Sequence, residues 1–155
     1  MKVRQAQPQD VEGWFALRRA LWPDCPDQDH REEIQAQFGA VDLAGFVAEA
    51  EDGQLVGFLE ASLRRYAEGC VGSPVGYIEG WYVLPAWRRQ GVGAMLVEAA
   101  ERWAAEQGCA EMASDIELDN AASLKAHMAL GFVEAERLIR VAKKIRKLPE
   151  ARPRT

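Results

Sequence analysis

Cysteine is scarce in this 155-residue chain, and its placement excludes two classes of small protein. Cys25, Cys70 and Cys109 are odd in number, lie far apart and form no C-x-x-C pair, so neither a disulfide framework nor a zinc site is indicated. No apolar run is long enough to cross a bilayer. The start, Met1-Lys2-Val3-Arg4-Gln5, leads into polar sequence without the apolar core of a signal peptide. A soluble cytoplasmic protein with no membrane partner is the expectation. Internal repeats and low-complexity stretches are missing as well. Cations are also few in the body of the chain: residues 1–136 hold 11 Lys/Arg against 23 Asp/Glu, net −12. Phosphate contacts need clustered cations, so nucleic acid is not an expected partner, whereas a basic small molecule would be drawn to such a body.

What is present describes one globular domain. Apolar residues make up 48% and charged residues 28% of the chain, enough for a core at this length. We expect a single domain over residues 1–142. Residues 143–155 form a basic, frayed tail, within a last segment from 137 that holds 8 Lys/Arg against Glu150 alone. Val3 to Ala6 reads as an edge strand, and Val11, Trp14, Phe15 and Leu21 share one helical face that Trp22-Pro23 ends. Asp27 reads as the N-cap of a second helix closed by Gly39. Phe46–Ala50 and Leu55–Leu59 flank Asp52-Gly53, which predicts a type I′ hairpin. A third strand runs from Val75 to Leu84 and stops at Pro85. Val92, Met95, Leu96, Ala99 and Trp103 mark a helix face, Glu111–Asp115 a short strand, Asn120–Leu130 a helix, and Phe132–Val141 a returning strand. Hairpins first and strand–helix alternation afterwards imply an α/β (α+β) mixed sheet with about four helices on its faces.

One segment carries chemistry: Val83-Leu84-Pro85-Ala86-Trp87-Arg88-Arg89-Gln90-Gly91-Val92-Gly93-Ala94-Met95-Leu96. A strand ends, an R-x-x-G-x-G turn follows, and a helix begins inside it. Gly91 and Gly93 allow the backbone to approach a ligand closely, and the helix N-terminus turns N–H groups and a positive dipole end toward a phosphate. Arg88 and Arg89 add charge at the rim. G-x-G-x-x-G is absent and no G-K-[ST] follows, so this is neither a dinucleotide fingerprint nor a P-loop.

This segment resembles the acyl-CoA pyrophosphate loop of the GNAT superfamily of N-acetyltransferases. A second element follows in register, Asn120-x-x-Ser123-x-x-x-His127-x-x-x-Gly131-Phe132, with histidine where most relatives carry tyrosine. The chain is further similar to the aminoglycoside 6′-N-acetyltransferases in Leu21-Trp22-Pro23, Ser73-Pro74-Val75, Glu79-Gly80-Trp81-Tyr82-Val83, Glu111-Met112-Ala113-Ser114-Asp115 and Gly131-Phe132-Val133-Glu134-Ala135-Glu136-Arg137. It departs from them at Arg64-Arg65-Tyr66. The resemblance implies a GNAT fold with a central, mostly antiparallel sheet and a splayed parallel strand pair that receives acetyl-CoA. Trp81, Tyr82, Val83, Arg88, Arg89, Gln90, Gly91, Val92, Gly93 and Asn120 would bind that cosubstrate, with a bulge at Gly80 opening the gap. It further implies a homodimer, for which the strand from Phe132 to Val141 is a candidate element to pair or exchange across the subunit boundary; no metal is expected, because the thioester is already activated.

For a polycationic acceptor such as an aminoglycoside, the resemblance implies contacts from Trp22, Tyr66, Glu79, Asp115 and Glu136. Aromatic faces stack on sugars and ammonium groups, and carboxylates neutralise them. Each residue alone also has a plain structural reading: core packing for Trp22, solvated surface for Glu136, a strand-end cap for Asp115. Attack on the thioester needs a free amine, so a carboxylate must take its proton; Glu79 and Asp115 are the candidates. A backbone N–H of Trp81–Val83 would polarise the thioester oxygen. His127 is the candidate acid for the departing thiolate, or else a half-buried helix histidine without a role. Two other functions stay open: acetylation of another small cationic amine (a polyamine, a metabolite or a peptide N-terminus), and a non-catalytic acyl-CoA or drug-binding module.

Overall fold

The computed structural model describes residues 1–151, 153 and 154. Five strands form one sheet in the order β1 (Lys2–Gln5), β2 (Leu43–Glu49), β3 (Leu55–Arg64), β4 (Val75–Val83) and β5 (Met112–Ser114). The first four are antiparallel, and β5 joins β4 in parallel. Helices α1 (Val11–Leu21) and α2 (Asp27–Gln37) cover one face, and α3 (Val92–Glu106) covers the other. The fourth helix, α4 (Ala121–Ala129), follows β5. The expected mixed sheet with four helices is therefore present.

Around β2 and β3 both faces of the sheet are covered, which is why these two strands read as near-continuous apolar runs. On one face Trp14, Phe15, Leu17 and Ile34 pack on Val47 and Phe58. On the other, Val92, Leu96, Val97 and Ala100 of α3 pack on Phe46, Leu59 and Ile78. Trp14 is fully enclosed; its truncation to alanine would cost about 3–5 kcal/mol.

Four local expectations are corrected. Asp27 is the first residue of α2, not its cap; Pro26 holds the cap position, and its carbonyl accepts the His30 N–H. The Asp52-Gly53 hairpin is not type I′, which needs positive φ at both central residues. Only Gly53 has it (φ 87°), and Gly53 N–H donates to the Ala50 carbonyl, so the turn is type I closed by a left-handed glycine. The bulge in β4 falls on Glu79 rather than Gly80: Glu60 pairs with Gly80 and Ala61 with Ile78, leaving Glu79 as the extra residue. Finally, residues 132–141 form no strand. A strand exists only with a partner ladder, and this segment instead runs past the Gly69 loop, where Ala135 lies against Gly69. Val133, Ile139 and Val141 are consequently exposed. The described residues of the tail, 143–151, 153 and 154, carry no helix or strand, and positions 152 and 155 lie outside the description.

Candidate functional site

The parallel pair makes a gap by stopping early. β5 pairs with β4 only from Gly76 to Ile78, while β4 continues to Val83. Beyond Ile78 the β4 backbone at Trp81, Tyr82 and Val83 has no strand on that side among the described residues. An extended ligand can add there as a strand would. The bulge at Glu79 turns that side chain toward the α1–α2 face, beside Ser62 and Arg64.

The far end of the gap is the turn before α3. Gly91 caps the helix with φ 83°, and Arg89 is the one non-glycine with positive φ among the described residues (60°). A wound turn of this kind aims successive N–H groups outward. Gly93 has a second reason to be glycine: a Cβ there would come within 2.9 Å of the Trp81 ring. Arg88 does not stand free at the rim; its Nε donates to the Val83 carbonyl at 2.8 Å and its guanidinium lies over Tyr82. Gln90 reaches back to the Ala86 carbonyl (3.0 Å). Asn120 serves as the N-cap of α4, its Oδ1 accepting Ser123 N–H at 3.0 Å. The Trp81 indole N–H is buried without a partner among the described residues, an orphaned donor beside the gap.

His127 is enclosed at 4% exposure between Trp81 and Phe132, edge-on to both. Its Nδ1 lies 2.7 Å from the Ser123 carbonyl, which can only accept, so Nδ1 carries the proton and Nε2 accepts from Ser114 Oγ at 2.9 Å. The histidine thus ties α4 to the end of β5. Ser114 was not singled out from the sequence, since a serine in a short strand gives no signal.

On the α1–α2 face a cavity of about 550 Å³ is lined by Trp22, Asp24, Glu33, Glu60 and Glu79, among others. The Trp22 ring forms one wall and lies so close to Gly80 that any Cβ there would overlap it. Glu79 is heavily partnered: Ser62 Oγ donates to Oε1 at 2.6 Å, and Arg64 Nη2 reaches both oxygens at 2.8 and 2.9 Å. Arg64 also lies over the Tyr77 ring, 3.4 Å from its centroid. Asp115, just past β5, accepts only the Tyr77 hydroxyl among the described residues, at 2.6 Å. Burial and that carboxylate push the Tyr77 hydroxyl up to about 12, so it remains a donor at neutral pH. Tyr77, Ser62 and Arg64 thereby join Glu79 to Asp115, and none of the three was read from the sequence as a site residue.

Tyr66 and Glu136 lie apart from this cluster. Tyr66 is 64% exposed on the loop after β3, where the carboxylates of Glu68 and Glu136 hold its hydroxyl above the usual range. Glu136 is exposed on the C-terminal segment that passes this loop. Among the described residues no group of three or more His, Cys, Asp or Glu is placed to hold a metal ion, and no helix is long and apolar enough to cross a membrane.

The model of the acetyltransferase (GNAT) family matches residues 14–132. The chain is 49% identical over 136 residues to the aminoglycoside N(6′)-acetyltransferase type 1 of Klebsiella aerogenes, covering 85% of this chain and 89% of the relative. It is 45% identical to the protein of that name from Salmonella enteritidis, covering 90% and 96%. Among solved structures, the aminoglycoside N-acetyltransferase AAC(6′)-Iy in complex with CoA superposes with a TM-score of 0.90 at 43% identity, over 93% of this chain and 95% of that one. The same enzyme with the bisubstrate analog CoA-S-monomethyl-acetylneamine superposes with a TM-score of 0.89, over 93% and 98%.

Proposed function

The chain belongs to the GNAT acetyltransferase family, and we propose that it transfers the acetyl group of acetyl-CoA to the 6′-amino group of aminoglycosides. The observation that carries this is the meeting of two unlike surfaces at the β4–β5 gap. A glycine turn with outward N–H groups suits an anionic cosubstrate, and an acidic, aromatic-walled cavity suits a polycation. Relatives at 42–49% identity bear the name of this activity, and AAC(6′)-Iy has been solved with CoA.

In this reading Trp81, Tyr82 and Val83 hold the pantetheine arm through their backbone, and the turn from Arg88 to Gly93 takes the pyrophosphate. Asn120 supports the same side through the start of α4. Acetyl-CoA supplies an already activated acyl group, so the chain's task is to bring it to a free amine. Trp22 and Tyr66 stack on the acceptor, while Glu79, Asp115 and Glu136 neutralise its ammonium groups. Asp115 takes the proton of the 6′-ammonium: among the described residues it has one hydrogen-bond donor on it, whereas Glu79 already holds Ser62 and Arg64. The amine then forms the C–N bond as the C–S bond breaks, and a β4 N–H faces the carbonyl oxygen. The second proton that the nitrogen loses as the amide forms goes to the thiolate, and His127 Nε2, which accepts from Ser114 Oγ, takes it up and returns it through that hydroxyl to the departing sulfur.

The open edge of β5 and the exposed apolar residues Val133, Ile139, Val141, Ile145 and Leu148 support a homodimer in which the C-terminal segment pairs across the subunit boundary. Elution as a monomer in gel filtration at working concentration would oppose that. Use of acetyl-CoA supports a cytoplasmic location.

The direct test supplies acetyl-CoA, a panel of amines and a thiol reagent. Thiol release with kanamycin and tobramycin but not with spermidine is the expected result. Release with spermidine alone would point to another amine, and no release with any amine to a binding module.

A further inference from the structure

Beneath the acceptor cavity lies a buried polar chain that no step of the mechanism uses. Arg18 is 1%, His30 0% and Glu60 4% exposed. Glu60 Oε1 accepts both Trp14 Nε1–H (2.9 Å) and Arg18 Nη1–H (2.5 Å), and the other guanidinium arm pairs with Glu33. With both arms fixed, Arg18 Nε points at His30 Nδ1, 3.2 Å away. Arginine has donors only, so Nδ1 carries the lone pair and Nε2 the proton. That proton is donated to the backbone carbonyl of Trp22 at 3.2 Å. Trp22 is held by Arg18 twice more, through its N–H on the Arg18 carbonyl (2.8 Å) and through the guanidinium 4.8 Å from its ring centroid.

Stability alone is a poor reason for such a chain. Burying an ion pair costs desolvation that a well-packed apolar set would avoid, so its persistence points to fixing a geometry. The geometry it fixes is that of Trp22, pressed on Gly80 at the bulge and edge-on to Phe58 (6.0 Å). His30 itself does not line the cavity.

We propose that His30, linked to Glu60 through Arg18, is a positioning residue for acceptor binding: it sets the place of the Trp22 wall without touching the substrate. The proposal rests on the reading of this cavity as the aminoglycoside site.

Two variants separate the bonds. The short amide of His30→Asn reaches Arg18 but not the Trp22 carbonyl; the longer amide of His30→Gln reaches Trp22. Asparagine is expected to raise the KM for tobramycin at least tenfold with the KM for acetyl-CoA within twofold, and glutamine to restore most of the loss. In a Trp22→Ala background, His30→Asn should add less than a further twofold, because both changes act on one wall. Equal rises in both KM values, no rise in either, or multiplying effects in the double variant would overturn the proposal. Acrylamide quenching of tryptophan fluorescence gives a readout free of turnover. It should increase in His30→Asn, and the increase should vanish in a Trp22→Phe background; quenching unchanged by His30→Asn would also overturn it. Wild-type protein that releases no thiol with tobramycin would instead sink the substrate assignment, and the quenching series would still decide the role of His30.

Discussion

On the α1–α2 side of the β4–β5 gap, the polar groups near the cavity are held by side chains from distant parts of the sequence: Glu60 by Trp14 and Arg18, Glu79 by Ser62 and Arg64, Asp115 by Tyr77. On the α3 side, the donors are backbone N–H groups of a turn whose shape is set by a few neighbouring residues, Gly91 and Gly93 chief among them. The acceptor half is therefore a side-chain construction and the cosubstrate half a backbone one. Substitutions should divide along the same line. Changes on the acceptor side should alter turnover and acceptor affinity, and changes at the turn should alter the KM for acetyl-CoA.

Asp115 carries the largest expected effect. Asp115→Ala should lower kcat on tobramycin by about 100-fold, within the usual range for a lost general base. The KM for acetyl-CoA should hardly move. Full turnover in steady-state thiol-release assays would remove Asp115 from the base role and erase the division at its strongest point. Glu79→Ala comes next. Its carboxylate is already neutralised by Arg64, so the expected fall in kcat is about tenfold, accompanied by a higher KM for the aminoglycoside. A loss from Glu79→Ala exceeding that from Asp115→Ala would exchange their roles.

At the turn, Gly93→Ala places a methyl 2.9 Å from the Trp81 ring. The ring must give way or α3 must shift, so we expect a several-fold rise in the KM for acetyl-CoA. Arg88→Ala should act in the same direction, because it frees both the Val83 carbonyl and the Tyr82 ring from their cation. A pure kcat defect in either variant, measured across a full acetyl-CoA titration, would contradict the backbone reading of this half.

The same division explains how much was legible in the sequence. R-x-x-G-x-G, the Pro85 stop and the apolar spacing of α3 are local patterns, and the turn, the strand end and the helix appear where those patterns lie. Trp22, Glu79 and Asp115 were named because the resemblance points at them. Their partners were not, for Arg18 and Glu60 are 42 residues apart and Tyr77 and Asp115 are 38 apart. A charge run does not say which of its members is buried, and a bulge is a property of two strands. The single residue gained at Glu79 is invisible in β4 alone. Residues 132–141 failed for a related reason. Their strand-like composition is real, yet a strand also needs a partner ladder, and residues 132–141 form none although the edge of β5 lies open.

The smallest expected effect tests the side-chain half through a proton. The Tyr77 hydroxyl is pushed up to about 12 from an ordinary value near 10, because burial and Asp115 disfavour the phenolate. Since the folded state keeps this proton while the unfolded chain gives it up, the contribution is complete below about pH 10 and is lost as pH rises toward about 12. Urea midpoints for wild type and Tyr77→Phe should therefore differ up to about pH 10 and converge as pH rises from there toward about 12. At pH 9 the variant should be less stable by about 1 kcal/mol, the scale of one hydrogen bond. Its kcat should fall only a few-fold, because Asp115 loses the Tyr77 donor but remains a base. The KM for acetyl-CoA should stay constant over the same pH range in both proteins. A parallel drift of that constant in the wild type but not in Tyr77→Phe would show that the acceptor cluster supports the α3 turn as well, and that the two halves are one construction.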